Sequence, residues 1–119
     1  MYEYNANLVK VTDGDTIVVD IDFGFNLRQK KILRLADVDA EELRSSDPEK
    51  RIMALAAKRF VQEILEDKRI TIKTLKTKSG RERETFGRIV ATVYFTDNEG
   101  KGNCLNNLLV SEGFAKEWV

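Results

Sequence analysis

The chain has 119 residues, 42% of them hydrophobic, with 20 basic and 20 acidic side chains and therefore no net charge. That is the size and apolar content of one domain with a real core, and it offers no bulk attraction for a polyanion, so only a local patch could bind one. The absence of histidine excludes Ser-His-Asp and Cys-His nucleophiles, imidazole acid–base chemistry and histidine-ligated zinc, while a single cysteine, Cys104, excludes an intrachain disulfide and a thiolate cage.

The strands come first. Residues 8–12, LVKVT, and 16–23, TIVVDIDF, read as two strands joined by Asp13-Gly14-Asp15. Asp-Gly is the strongest short hairpin signal. A turn at Gly24 leads to a third strand, KILRLADVD, over residues 31–39. SSDPEK then starts a helix, with Ser46 or Asp47 as cap and Pro48 in the first turn. Met53, Ala56, Phe60, Val61 and Ile64 follow at helical spacing and read as its core stripe. RITIKTL, residues 69–75, is a fourth strand; KTKSGRERETFG is a polar, basic loop; RIVATVYF, residues 88–95, is a fifth strand. DNEGKG turns into a last helix near residues 103–112, with Gly113 at its C-cap. Cys104 reads as a small buried apolar residue.

Three strands, a helix and two more strands is the order of a five-stranded OB-fold, a Greek-key barrel that is mainly β with helices (α+β). The helix falls between strands three and four, and a further helix ends the chain. There is no linker, repeat or low-complexity tract, so residues 1–119 form a single domain. No apolar run is long enough to span a bilayer. No basic-then-apolar leader follows Met1, so the chain as it stands is expected in the cytoplasm; a leader already removed would leave no trace in it.

The charges concentrate at strand ends. Arg34 lies within the third strand, and Asp37, Asp39, Glu41 and Glu42 cluster at its end. Side chains alternate along a strand, so Arg34 and Asp39 serve one pocket only if the strand ends or bulges near Val38. Ala40 then lies on a loop and offers a free carbonyl. Arg88 stands where the basic loop enters the fifth strand. The set is two aspartates for a hard cation, which prefers oxygen ligands, one glutamate, and two arginines. The guanidinium fork matches the oxygens of a phosphate. A cation beside two such forks suits a phosphodiester.

Each residue taken singly has a plainer reading. Asp39 and Glu42 are solvated loop charges, and Arg34 pairs with a neighbouring carboxylate. Asp37, Glu41, Asp20 and Asp22 read as surface residues. Lys76, Lys78, Arg81 and Arg83 form either a solvated loop or a steering patch for a polyanion.

In combination, VTDGDT, RLADVDAEE, FGR and CLNNLLVSEGFAK resemble the staphylococcal nuclease-like, or thermonuclease, family over residues 9–119. The resemblance implies an OB-fold and a calcium ion held by Asp15, Asp39 and the carbonyl of Ala40. It implies Arg34, Glu42 and Arg88 as catalytic residues, and cleavage of DNA and RNA to 3′-phosphate products. Lys76, Lys78, Arg81, Arg83 and Phe86 are the expected substrate-capturing residues. No membrane and no obligate protein partner is expected, and the chain should be a monomer. Glu41 replaces the family's loop-stiffening proline, Thr85-Phe86 replaces Lys-Tyr, and Val119 stands at a substrate-contacting tyrosine. The alternative is an inert barrel of the same kind that binds single strands or a protein ligand. An EF-hand is excluded, because neither acidic stretch has the glycine and glutamate that its loop requires.

Overall fold

The computed structural model describes residues 2–74, 84–85 and 88–118. β1 (Tyr2–Asp13), β2 (Thr16–Asp22) and β3 (Arg28–Leu35) form an antiparallel meander. Ile17, Val19 and Ile21 of β2, and Leu33 and Leu35 of β3, are fully buried. Their period of two puts one face of each strand inside and the other outside.

After α1 (Pro48–Leu65), β5 (Ile70–Thr74) pairs antiparallel with β1, and β7 (Arg88–Thr96) pairs antiparallel with β5. A parallel register between β3 and β7, Leu33 to Ile89 and Leu35 to Ala91, closes the ring. The result is a closed five-stranded barrel of β1, β2, β3, β7 and β5, an α+β OB-fold. Short strands extend it: β6 (Glu84–Thr85) and β8 (Gly102–Cys104) add to β7. β4 (Val38–Asp39) and β9 (Lys116–Glu117) form a separate antiparallel ribbon, and α2 (Leu105–Ser111) follows β8. None of the described helices is long and apolar enough to cross a membrane.

α1 begins as expected: Asp47 is the N-cap, its side chain accepts from Glu49 N–H, and Pro48 opens the first turn. Its buried face differs from the expected stripe. Ala54, Ala57, Val61 and Leu65 are buried, Phe60 and Ile64 are half-buried, and Met53 and Ala56 are exposed. The reason is a close approach to the first hairpin. A Cβ on Gly14 would lie 2.6 Å from Cβ of Ala57 and 3.1 Å from Cβ of Ala40. Only small residues fit there, so alanines face the barrel and Met53 turns away. Gly14 is thus required for contact rather than for torsion; among the described residues the left-handed glycines are Gly24, Gly100 and Gly113.

β1 starts at Tyr2, well before the expected residue 8. The first residues, mostly exposed, carry little apolar signal, yet they pair with β5 from Tyr2–Thr74 to Ala6–Ile70. Cys104 is half-buried at the N-cap of α2 instead of lying in the core. Gly113 (φ 80°) ends α2 as expected. Phe114 then stacks on Phe60, with ring centroids 4.4 Å apart, and joins the two helices.

Candidate active site

Barrel registers place the first elements of the site. Thr16 pairs with Arg34 across β2 and β3, and Arg34 pairs with Val90 across β3 and β7. Paired residues share a face, and Arg88 is two positions before Val90, so Thr16, Arg34, Val90 and Arg88 all belong to the outer face of the barrel. Arg34 is nonetheless buried. The chain after β3 folds back over it.

That fold-back is the break demanded by the alternation of Arg34 and Asp39. β3 ends at Leu35, whose N–H donates to the Asp15 carbonyl at 2.8 Å. Ala36 N–H donates to the Ala91 carbonyl at 2.8 Å. Asp37 takes φ 61°, a left-handed conformation that aspartate tolerates better than most residues. The buried Asn106 of α2 clamps the turn: Nδ2 donates to the Ala36 carbonyl at 2.9 Å, while Oδ1 accepts from Val93 N–H at 3.0 Å. The chain then reverses into the β4–β9 ribbon, which brings Asp39 back to Arg34.

The charged groups interlock. Asp15 is largely buried; Oδ1 accepts from Thr16 Oγ1 at 3.0 Å and Oδ2 from Ala40 N–H at 2.8 Å. Arg34 Nη2 lies 3.4 Å from Asp15 Oδ2 and 3.6 Å from Asp39 Oδ1. Arg34 Nη1 donates to the Leu35 carbonyl at 2.9 Å. The Trp118 ring centroid lies 5.2 Å from Arg34 Cζ. A guanidinium shielded from water needs such compensating partners.

A cavity of about 310 Å³ opens at this point, and Asp15, Arg34, Asp39, Glu42, Arg88 and Trp118 are among the residues that line it. All five side chains singled out in the sequence for metal and catalysis therefore meet in one cleft. Ala40 joins them through its N–H on Asp15, although it is not among the lining residues. Glu42 and Asp39 are exposed, and Arg88 is half-buried. Lys76, Lys78, Arg81, Arg83 and Phe86 lie outside the described residues.

No three acidic, histidine or cysteine side chains assemble into a metal cage among the described residues. The donors that exist are Asp15 and Asp39, both close to one guanidinium nitrogen, with the backbone of Ala40 beside Asp15. An oxygen-only, incomplete set of this kind fits a hard cation that completes its shell with water or a substrate phosphate.

Several residues of this site were not singled out from the sequence, Thr16 and Asp37 of the cavity lining among them. Asp13 lines the cavity, and its Oδ1 accepts from Leu43 N–H at 3.5 Å; its signal was its place as the first carboxylate of the Asp-Gly-Asp turn. Asn106 had the signal of a polar residue among helix leucines. Trp118 directly follows the β4–β9 ribbon, whose two residues per strand show no periodicity.

The family model described as staphylococcal nuclease homologue matches residues 32–119. The match takes in Arg34, Asp39, Ala40, Glu42 and Arg88, and begins after Asp15. No curated protein matches the chain.

Proposed function

Because the chain belongs to the staphylococcal nuclease homologues, we propose that it is a calcium-dependent nuclease, hydrolysing phosphodiester bonds of DNA and RNA to leave 3′-phosphates. The observation that carries this reading is the single cleft shared by Asp15, Arg34, Asp39, Glu42 and Arg88. This reading gives a role to each of the two arginines, the glutamate and the two aspartates.

Each residue has a role that follows from its chemistry. Asp15, Asp39 and the Ala40 carbonyl would hold calcium, which when bound polarises a phosphate oxygen and positions water. Thr16 and the Ala40 N–H fix the Asp15 carboxylate in place. Arg34 and Arg88 bind the phosphate and stabilise the added negative charge at five-coordinate phosphorus. Glu42 takes a proton from the attacking water as its oxygen bonds to phosphorus. The bond from phosphorus to the 5′-oxygen breaks, and its electron pair leaves with that oxygen. The proton for the 5′-oxygen comes from solvent, because guanidinium stays charged. Lys76, Lys78, Arg81 and Arg83 capture the polyanion, and Phe86 stacks on a base.

Purified chain incubated with plasmid and with single-stranded DNA, in calcium or in chelator, tests the reading. Calcium-dependent cleavage with phosphatase-sensitive 3′ ends supports it. Binding without cleavage in calcium, or cleavage undiminished in chelator, overturns it.

A further inference from the structure

The β2–β3 hairpin closes through Phe23-Gly24-Phe25-Asn26-Leu27. Phe23 N–H donates to the Leu27 carbonyl and Leu27 N–H to the Gly24 carbonyl, each at 2.9 Å. Phe25 and Asn26, the two central residues of that turn, have φ of 55° and 62°. Such positions favour Asn, Asp and Gly, and a phenylalanine there is strained. Phe25 is also 96% exposed, with Leu27 61% and Phe23 40% exposed beside it. Neither turn torsion nor burial within the fold accounts for an aromatic ring at this tip. A binding role accounts for it, since strained conformations concentrate where a side chain serves function.

The residues around the tip match one kind of surface. Tyr4 lies edge-on to Phe23 with ring centroids 5.3 Å apart, and Tyr2 lies 6.4 Å from Tyr4. Arg28, Lys30 and Lys31 stand behind Leu27 on β3. Asp20 and Asp22 oppose them across the hairpin, but Arg28 engages both, at 2.9 and 3.6 Å. Lys30 and Lys31 have no ion pair among the described residues. An apolar tip, phenols beside it and cations behind it match the acyl boundary, the interface and the anionic headgroups of a bilayer. A convex tip gives a small ligand no enclosure. An interfacial contact needs only a few side chains and no membrane-spanning run.

We infer that the β2–β3 tip docks on an anionic phospholipid surface, with Phe25 and Leu27 entering the acyl boundary and Lys30 and Lys31 at the headgroup phosphates. The paired residues Thr16 and Arg34 border the cleft, and the pair Asp22 and Arg28 lies further along the same two strands, about 20 Å away at the usual strand rise. Docking by the tip leaves the cleft in water, and the inference stands apart from the nuclease reading.

The test is sedimentation of the purified chain with sucrose-loaded vesicles at low salt, in chelator and without nucleic acid. Vesicles of phosphatidylcholine alone are compared with an equal mixture of phosphatidylcholine and phosphatidylglycerol. The proteins are wild type, Phe25→Asn, and a double variant carrying Lys30→Ser and Lys31→Ser. Thermal melts and binding of a single-stranded oligonucleotide are recorded on the same preparations. Wild type should partition onto the mixed vesicles and far less onto the neutral ones. Phe25→Asn should lower the partition coefficient about tenfold or more, the effect of removing one buried aromatic side chain. Asparagine suits the turn, so this variant should melt no lower than wild type. The lysine variant should lose about fivefold per lysine, on the mixed vesicles only. Oligonucleotide binding should be the same for wild type and Phe25→Asn. No partition of wild type onto the mixed vesicles, or equal partition of wild type and Phe25→Asn, overturns the docking surface. Weaker oligonucleotide binding by Phe25→Asn with unchanged vesicle binding overturns it too, and gives the tip to nucleic acid. No readout here depends on cleavage, so failure of the nuclease reading leaves the result intact.

Discussion

Ala40 N–H donates to Asp15 Oδ2 at 2.8 Å, joining the turn of the first hairpin to the loop that carries Glu42. One carboxylate thus serves as candidate metal ligand and as loop anchor. Asp15→Asn keeps an acceptor for that N–H and loses the charge; Asp15→Ala loses both. Calorimetric titration should show calcium binding weakened in each. Both should melt lower, because each takes a carboxylate from the buried Arg34 guanidinium, and Asp15→Ala should fall further, by about 1–3 kcal/mol for a buried N–H left unsatisfied. Wild-type calcium affinity in Asp15→Asn would contradict the assignment.

Metal preference follows from the donor set. Two carboxylates and a carbonyl leave most of the shell to water and substrate, which suits calcium's larger, more permissive coordination better than magnesium's rigid octahedron. Initial rates should be high in calcium and low in magnesium. Equal rates in the two ions would speak against Asp15 and Asp39 as ligands.

Arg34→Ala and Arg88→Ala should each reduce turnover at saturating DNA at least about a hundredfold, comparable to losing one donor to a developing anion. The two should differ in stability. Arg34 is buried against Asp15 and Asp39, and its loss strands the Asp15 charge. Arg88 is half-buried and should change the melting temperature less. Single-turnover rates and melts on the same preparations separate these effects.

Asn106→Ala should destabilise the fold, by about 1–3 kcal/mol for each buried group it leaves unpaired. The affected groups are Val93 N–H and the Ala36 carbonyl. Asn106→Asp keeps the acceptor for Val93 and loses the donor to Ala36, so it should loosen the turn that returns Asp39 to Arg34. Chemical denaturation measures the first effect, and calcium affinity of the folded Asp variant measures the second.

Much of this architecture was legible because strands and caps write local patterns. The β-branched run TIVVDIDF marked β2, and Asp47-Pro48 marked the start of α1. The conflict between Arg34 and Asp39 on one strand required a break, and Asp37 supplies it. What was not legible depends on contacts between distant segments. Gly14 lies against Ala57, which demands a small residue at that point on the inner face of α1; no period within the helix reveals that partner. The early residues of β1 are strand because β5 lies beside them, not because of their own apolar content. Trp118 reaches Arg34 only through the β4–β9 ribbon, which is too short to announce itself.

The most direct measurement is single-turnover cleavage by Glu42→Gln at saturating calcium and DNA, with a melt of the same protein. The change keeps the size of the side chain and removes the base. If Glu42 takes the proton from water, a folded Glu42→Gln variant should be slower by about a hundredfold or more. A folded variant that cleaves at the wild-type rate would contradict the mechanism and leave the barrel without its assigned base.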